Sequence, residues 1–297
     1  MDKRSSRDVE PTGAHQREAD WDSDVAVVVP VRNDPLVQKA LHSVPQDVDI
    51  VVSMNDPSEE VRSIVSEFAV ACPNVMVVET PKVGMAAAVN LGVSSARRGK
   101  IVMLDSDCEL GKGALPAYSR ALDRSAFVRG RTEVTAGRGW SSFSGLGQAT
   151  LNRAFVQRPR LIGPSIAFRR SAFLGLGGYD EESGASCDHE FVLRMEDCGI
   201  IPAFEPEAVI RHQPITFRID CRAHLGYGRS MTYIDLKRGG RYGLSVCLLR
   251  FRSSVLWTKF RQRGLSSVFR SIVMGSLLLL GYCLGPRCFS KVGRCCQ

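Results

Sequence analysis

The sequence predicts an α/β fold: a mostly parallel central sheet flanked by helices, with a basic, mainly helical C-terminal extension. Three observations predict it. Short apolar runs recur at Val25–Val31 (VAVVVPV), Val48–Met54 (VDIVVSM), Val75–Val78 and Ile101–Leu104, and such runs suit strands covered on both faces. Segments with apolar residues at helical spacing separate them. Most of the runs end in polar turns rich in Asp and Asn, at the strand ends where open α/β sheets gather their ligands. Strand and helix alternate without interruption, the pattern of crossover units in a parallel sheet.

Taken in order, residues 1–23 are polar and aperiodic and are expected to form a flexible arm. The first strand ends in Arg32-Asn33-Asp34-Pro35, a turn that starts a helix carrying Leu36, Ala40 and Leu41 on its apolar face. The second strand ends in Asn55-Asp56-Pro57-Ser58, where Asp56 or Ser58 can cap the next helix. That helix places Val61, Ile64, Val65 and Phe68 on one side. After the third strand, the turn at Thr80–Gly84 leads into an Ala-rich helix, Met85 to Arg97. The fourth strand runs into Asp105 within Lys100–Leu110, KIVMLDSDCEL.

Asp105 and Asp107 stand one residue apart at the end of that strand. In extended chain, residues i and i+2 point to the same side, so the two carboxylates repel unless a cation lies between them. Hard oxygen ligands favour Mg²⁺ or Mn²⁺ over zinc, and those ions keep positions that a diphosphate can fill. An Asx-rich turn after a strand is the alternative reading of the same residues. No G-x-G-x-x-G follows the first strand and no G-x-x-x-x-G-K-[ST] occurs, so phosphate binding falls to a metal rather than a glycine cradle.

Net charge is +8 and unevenly placed. From Arg211 onward there are 16 Lys+Arg against 2 acids, or +14, which leaves −6 on the rest. A basic tail suits an anionic partner such as a lipid surface or a polyanionic acceptor. It lacks the interleaved aromatics of a stacking platform, so no specific nucleic acid is expected. Ile272–Leu284 is apolar between Arg270 and Arg287, about 13 residues, short of the ~20 that span a bilayer. An interfacial helix with peripheral membrane contact, or a helix buried in a small bundle, is expected there. The ten cysteines form no C-x-x-C pair and the N-terminal stretch has no signal-peptide pattern. A cytoplasmic protein with reduced thiols follows, peripheral at the membrane's cytoplasmic face. Cys288, Cys295 and Cys296 cluster near the C-terminus without the spacing of a metal site.

Four segments, in order, resemble family 2 glycosyltransferases of the GT-A fold. They are VVVPVRND (from Val27), VVSMNDPS (from Val51), GMAAAVNLGVSSARRGKIVMLDSDCEL (from Gly84) and GGYDEESGASCDHEFVLRMEDCG (from Gly177). The resemblance covers about residues 24–215 and implies a GT-A domain there, with 216–297 as the helical extension. It departs from the family pattern at Arg32, where an aromatic is frequent, and at Met85, where a basic residue is frequent. Asn55 replaces an acid, and Cys187 replaces a Glu before the catalytic Asp.

The resemblance implies a sugar nucleotide donor. Pro30, Val31, Arg32, Asn33 and Asp56 would hold base and ribose, with Asp56 accepting from a uracil imide, which makes a UDP-sugar the default. Asp107 would bind the metal, Asp105 the ribose or the metal through water, and His212, in VIRHQP, would complete the metal shell. Gly163-Pro164-Ser165 would line the sugar pocket, and Trp140 is open between sugar stacking, an acceptor loop and plain packing. Asp188, in the first turn of a short helix Cys187–Cys198 with Glu190 beside it, would be the general base toward the acceptor; its position equally suits the helix dipole. A single base facing the donor implies inversion, onto a glycan, a lipid-linked sugar or a small metabolite. The departures also motivate a second reading, a nucleotide-sugar-binding subunit that has lost catalysis. A nucleotidyltransferase is a third, set against by VRNDP in place of a Gly-rich basic loop.

Overall fold

The computed structural model describes residues 24–285 other than Ala136. The expected N-terminal arm and the C-terminal cysteine cluster lie outside the described residues.

Eight strands form one sheet, in the order β3-β2-β1-β4-β7-β6-β8-β5. They are β1 (Val25–Val31), β2 (Asp49–Asn55), β3 (Val75–Thr80), β4 (Lys100–Met103), β5 (Cys108–Leu110), β6 (Phe127–Val134), β7 (Ile166–Arg169) and β8 (Ala203–His212). β3, β2, β1 and β4 pair in parallel. β7 is antiparallel to both β4 and β6, and β5 is antiparallel to β8. The first half of the sheet is the parallel arrangement the apolar runs require; the second half is mixed.

The helices are α1 (Val37–His42), α2 (Glu59–Ala71), α3 (Met85–Ser95), α4 (Ala114–Arg124), α5 (Ser142–Gln157), α6 (Arg170–Gly175), α7 (Cys187–Asp197), α8 (Phe217–Arg238), α9 (Tyr242–Leu249) and α10 (Ser253–Leu284). Alternation along β1 divides the core. Val25, Val27, Val29 and Val31 pack with residues of α1, α2 and α4. Ala26 and Val28 face the other side, with α3, α6 and α7. Phe127, Phe168, Phe173, Tyr179 and Phe191 form an aromatic nucleus on that side, with Phe168 and Phe173 stacked at 4.4 Å. α3 is Ala-rich because it lies close on the sheet: a Cβ at Gly92 would stand 2.6 Å from Val28 Cγ1. Ser53 Oγ, on β2, donates to the Ala88 carbonyl at 2.6 Å across the same contact.

α8, α9 and α10 form a small helical layer joined to the sheet domain through Leu193 of α7, which packs with Met231, Ile234, Cys247 and Leu278. α8 and α10 touch at glycines. A Cβ at Gly228 would overlap the Leu278 carbonyl, and one at Gly281 the Leu225 carbonyl. Gly228→Ala is therefore expected to destabilise the chain by about 1–3 kcal/mol, seen as a lower midpoint in urea unfolding.

α10 is longer than the apolar run suggests. Gly264–Leu284 is 21 residues with mean hydropathy 1.7, long and apolar enough to cross a membrane by length and composition, and a third of its most apolar window is buried. Arg270, which interrupts the pattern, turns inward: its guanidinium donates to Asp220 Oδ2 at 2.6 Å and lies 5.6 Å above Trp140. Trp140 Nε1 donates to the same carboxylate at 2.9 Å, and its ring meets Phe217 edge-on at 4.7 Å. Trp140 is thus a packing residue beneath α8. Burial alone would raise the Asp220 carboxyl; hydrogen bonds from His224 and Trp140 and the Arg270 charge outweigh it and hold it at about 2.

Candidate active site

The site lies at the C-terminal ends of β1, β2 and β4. β4 stops at Met103, and the loop through Asp105, Ser106 and Asp107 turns back into β5. Ser106 Oγ donates to Asp34 Oδ2 at 2.8 Å, which ties this loop to the turn after β1. β5 then pairs with β8 in a register that sets Cys108 opposite His212. That register brings together residues far apart in the chain. Asp107, Cys108 and His212 place ligand atoms within 4.8 Å of one another, with His212 Nε2 3.4 Å from Asp107 Oδ2.

The hydrogen bonds select the ligands. His212 Nδ1 lies 2.5 Å from the Gln213 carbonyl, which can only accept, so the neutral ring carries its proton on Nδ1. Nε2 is left with a lone pair on the Asp107 side, the arrangement common to metal-binding histidines. Cys108 is buried, and its thiol is pushed well up by that burial and by the charges of Asp105 and Asp107. One hard carboxylate oxygen and one borderline imidazole nitrogen form a donor set that fits a divalent ion such as Mn²⁺ better than Mg²⁺ and leaves positions for phosphate oxygens. Asp105 is half-buried beside this pair. Removal from water and the Asp107 charge push its carboxyl up to about 7; Asp188 adds to the rise, and His212 and Arg129 oppose it.

Across the site, Asp188 opens α7 as the sequence suggested. Its Oδ2 accepts from the Gly163 amide at 2.9 Å and its Oδ1 from the His189 amide at 2.7 Å. Each oxygen keeps a further lone pair. The turn before it is set by glycine: Gly178 has φ +66, and a Cβ there would stand 2.7 Å from Asn90 Oδ1. Asn90, on α3, accepts from the Tyr179 amide and donates to its carbonyl, both at 2.8 Å. Glu190 is buried and paired with Arg194 and Lys237, which makes it a structural acid.

Residues 26–176 match the sequence profile described as Glycosyl transferase family 2. The chain belongs to that family. Uncharacterised glycosyltransferases of Mycobacterium tuberculosis and Mycobacterium bovis are 28% identical to it over 166 residues, covering 54% of this chain and 74% of each relative. Among solved structures, the Pyrobaculum calidifontis mannosyltransferase PcManGT in complex with GDP-Man and Mn²⁺ superposes with a TM-score of 0.62 at 16% identity, over 89% of this chain and 88% of that one. TarS of S. aureus gives 0.52 at 16% identity, over 72% of this chain and 39% of its own. At such identities the likeness shows the fold, which is GT-A-like.

In this glycosyltransferase the residues read for base and ribose divide by exposure. Arg32, Asn33 and Asp56 are exposed, whereas Pro30 and Val31 are buried within β1 and offer backbone only. Arg32 donates to Asp56 Oδ2 at 2.9 Å. Asp56 has φ +50, the one non-glycine in the left-handed region among the described residues, where Asp is tolerated. Ser58 caps α2, accepting from the Val61 amide at 3.4 Å. Ser165 is fully buried, its hydroxyl 2.7 Å from Thr132 Oγ1 and donating to the Arg131 carbonyl at 3.1 Å. Its hydroxyl is therefore engaged within the fold, between β6 and β7.

Two residues near the site, Arg129 and Tyr227, are not singled out for it by the sequence, and a third, Asn55, reads there only as a replaced acid. Arg129 lies fully buried on β6, donating to Thr132 and stacked 4.7 Å from the Phe155 ring. Burial lowers it to about 10, Tyr118, Asp188 and Asp105 oppose the fall, and it stays cationic beneath the carboxylates. Tyr227 approaches the same field from α8: its side chain stays partly exposed, and shielding of the phenol from water together with the Asp188 and Asp105 charges pushes it up. Asn55 is buried, donates to the Lys82 carbonyl and accepts from the Gly84 amide at 3.0 Å. An acid there would face the Lys82 carbonyl without a donor. Asn55→Asp is expected to cost about 1–3 kcal/mol in urea unfolding at neutral pH. The loss should shrink in acid, where the new carboxyl regains a proton to donate.

Proposed function

We propose that this glycosyltransferase is metal-dependent and inverting, and moves a sugar from a nucleoside-diphosphate donor to an acceptor hydroxyl. The observation that carries the reading is the register of β5 on β8, which sets Asp107 beside His212, with Asp105 sensing both that pair and Asp188. Asp107 and His212 would hold the divalent ion, and Asp105 would receive the ribose or a metal-bound water. The ion supplies positive charge to a departing diphosphate. Arg32, Asn33 and Asp56 would orient base and ribose, and Asp188 would take the acceptor's proton. A base at Asp188, across from the metal pair, fits direct displacement with inversion.

Asp56 keeps one carboxylate oxygen clear of Arg32. That oxygen suits the uracil imide N–H, so a UDP-sugar is the default donor. A GDP-sugar is the second reading, favoured by the donor of PcManGT. The departures from the family pattern do not favour loss of catalysis: Asn55 holds the turn before α3, and Cys187 is a buried packing residue at the start of α7. A lipid-linked, glycan or small-molecule acceptor at the cytoplasmic membrane face fits the tail. There Trp257, Phe260, Leu265 and Phe269 are exposed among cations, as a peripheral membrane helix requires.

The test is a panel of nucleotide sugars with and without Mn²⁺, read by thermal shift and by donor hydrolysis. A UDP-sugar should raise the melting point only with the metal and be turned over, and product NMR should find the anomer inverted. Tight nucleotide binding with no turnover on any acceptor would establish the binding-subunit reading instead.

A further inference from the structure

A cavity of about 360 Å³ lies between residues 182–185 and α8, beside the site already described. Its volume falls in the range of small-molecule pockets. The 3₁₀ turn Gly184–Ser186 that forms one wall runs directly into α7, and so into Asp188. The opposite wall is one face of α8, where Arg222 and Arg229 stand two helical turns apart. Gly226 lies between them and faces Ala185, with room for a Cβ only at contact distance, 3.4 Å. Two small residues thus keep the space between the arginines open.

The two guanidiniums lack carboxylate partners among the described residues, and Arg229 Nε is buried with no hydrogen-bond partner there. The neighbouring cations are engaged. Lys237 binds Asp180 and Glu190, Arg194 binds Glu190, and Arg270 binds Asp220. Within the cavity Tyr233 already donates to Asp180, at 2.8 Å. Glu182 is the one acid of the lining, so two positive groups face one negative. Paired arginine forks match the oxygens of a phosphate better than any neutral ligand.

We propose that this cavity binds the phosphate of an anionic acceptor and so presents that acceptor's hydroxyl to Asp188. The proposal rests on the reading of Asp188 as the acceptor-side base and names the acceptor class: a phosphate ester. A lipid-linked phosphate and a soluble sugar phosphate both carry the group.

The test titrates the full chain with inorganic phosphate, without metal, and follows the melting point. Wild type and Asp107→Ala should be stabilised alike. Arg222→Ala should need at least about tenfold more phosphate for the same shift, the loss expected for one charge-assisted contact. Arg222 is exposed, so this variant folds; Arg229→Lys, which keeps the charge and loses the fork, should fall between. No stabilisation of wild type, or an undiminished response in Arg222→Ala, overturns the proposal. So does a response lost in Asp107→Ala, which would place the phosphate at the donor site. Mn²⁺-dependent UDP binding by wild type, absent from Asp107→Ala, tests the donor reading on a separate readout. Two arms separate the sources. Retention on phosphatidylcholine vesicles doped with a prenyl phosphate, over undoped ones, assigns the lipid. Stabilisation by glucose 6-phosphate without such retention assigns a soluble acceptor, and the absence of both responses overturns the proposal.

Discussion

Asp188→Asn is expected to lower kcat by about 10³-fold, within the 10²–10⁴ that a positioned general base contributes, or ~4 kcal/mol of barrier. The substitution is close to isosteric. The amide oxygen can still accept from Gly163 or His189, whose bonds to Asp188 are 2.9 and 2.7 Å, so α7 keeps its position. What disappears is the anion that receives a proton. Donor affinity should be unchanged, because the donor's contacts are assigned to the turns after β1, β2 and β4. The check is steady-state kinetics beside nucleotide titration on one preparation. A fall in kcat with intact nucleotide binding supports the role. Activity retained within about threefold would reduce Asp188 to a helix-dipole residue.

The sequence made β1, β2 and β4 legible because each is buried on both faces, or nearly so, and reads as an apolar run; β3, an edge strand with no fully buried residue, is legible only through its apolar Val75–Val78. β6 was not legible. It carries Arg129 and Gly130 in its buried stretch, and a buried arginine breaks the apolar signature of a strand. α5 hid behind Gly and Ser, and the length of α10 behind Arg270, whose charge is met by Asp220 on another helix. The candidate site divides in the same way. Asp105 and Asp107 announce themselves by local spacing, and Asp188 by the family resemblance of its segment. The meeting of Asp107 with His212 depends on the β5–β8 register, a long-range pairing that no local pattern encodes. Asn55 looked like a lost acid, and only its two backbone partners reveal a residue chosen for having both a donor and an acceptor. At Ser165, where the resemblance implied a sugar pocket, only the structure shows that the hydroxyl is engaged with Thr132 and Arg131.

The second large effect concerns the metal pair. Asp107→Ala is expected to abolish Mn²⁺-dependent stabilisation by nucleotide and to lower kcat/KM by roughly 10²–10⁴, since a bound cation supplies several kcal/mol of charge stabilisation. His212→Ala should weaken Mn²⁺ binding less, because the anion stays in place. Cys108 supplies the control. Its Sγ stands in the same cluster, within 4.8 Å of the other two ligand atoms, but it is 1% exposed and its thiol lies 3.5 Å from Asp107 Oδ1 as a donor. Were it a ligand, it would be a thiolate, and the site would prefer a softer metal than Mn²⁺. Cys108→Ser should therefore leave Mn²⁺ affinity within about threefold, measured by electron paramagnetic resonance of free Mn²⁺. A large loss in Cys108→Ser, equal to that of Asp107→Ala, would mean that the thiol ligates. The carboxylate–imidazole assignment would then fail, and a zinc-like site would take its place.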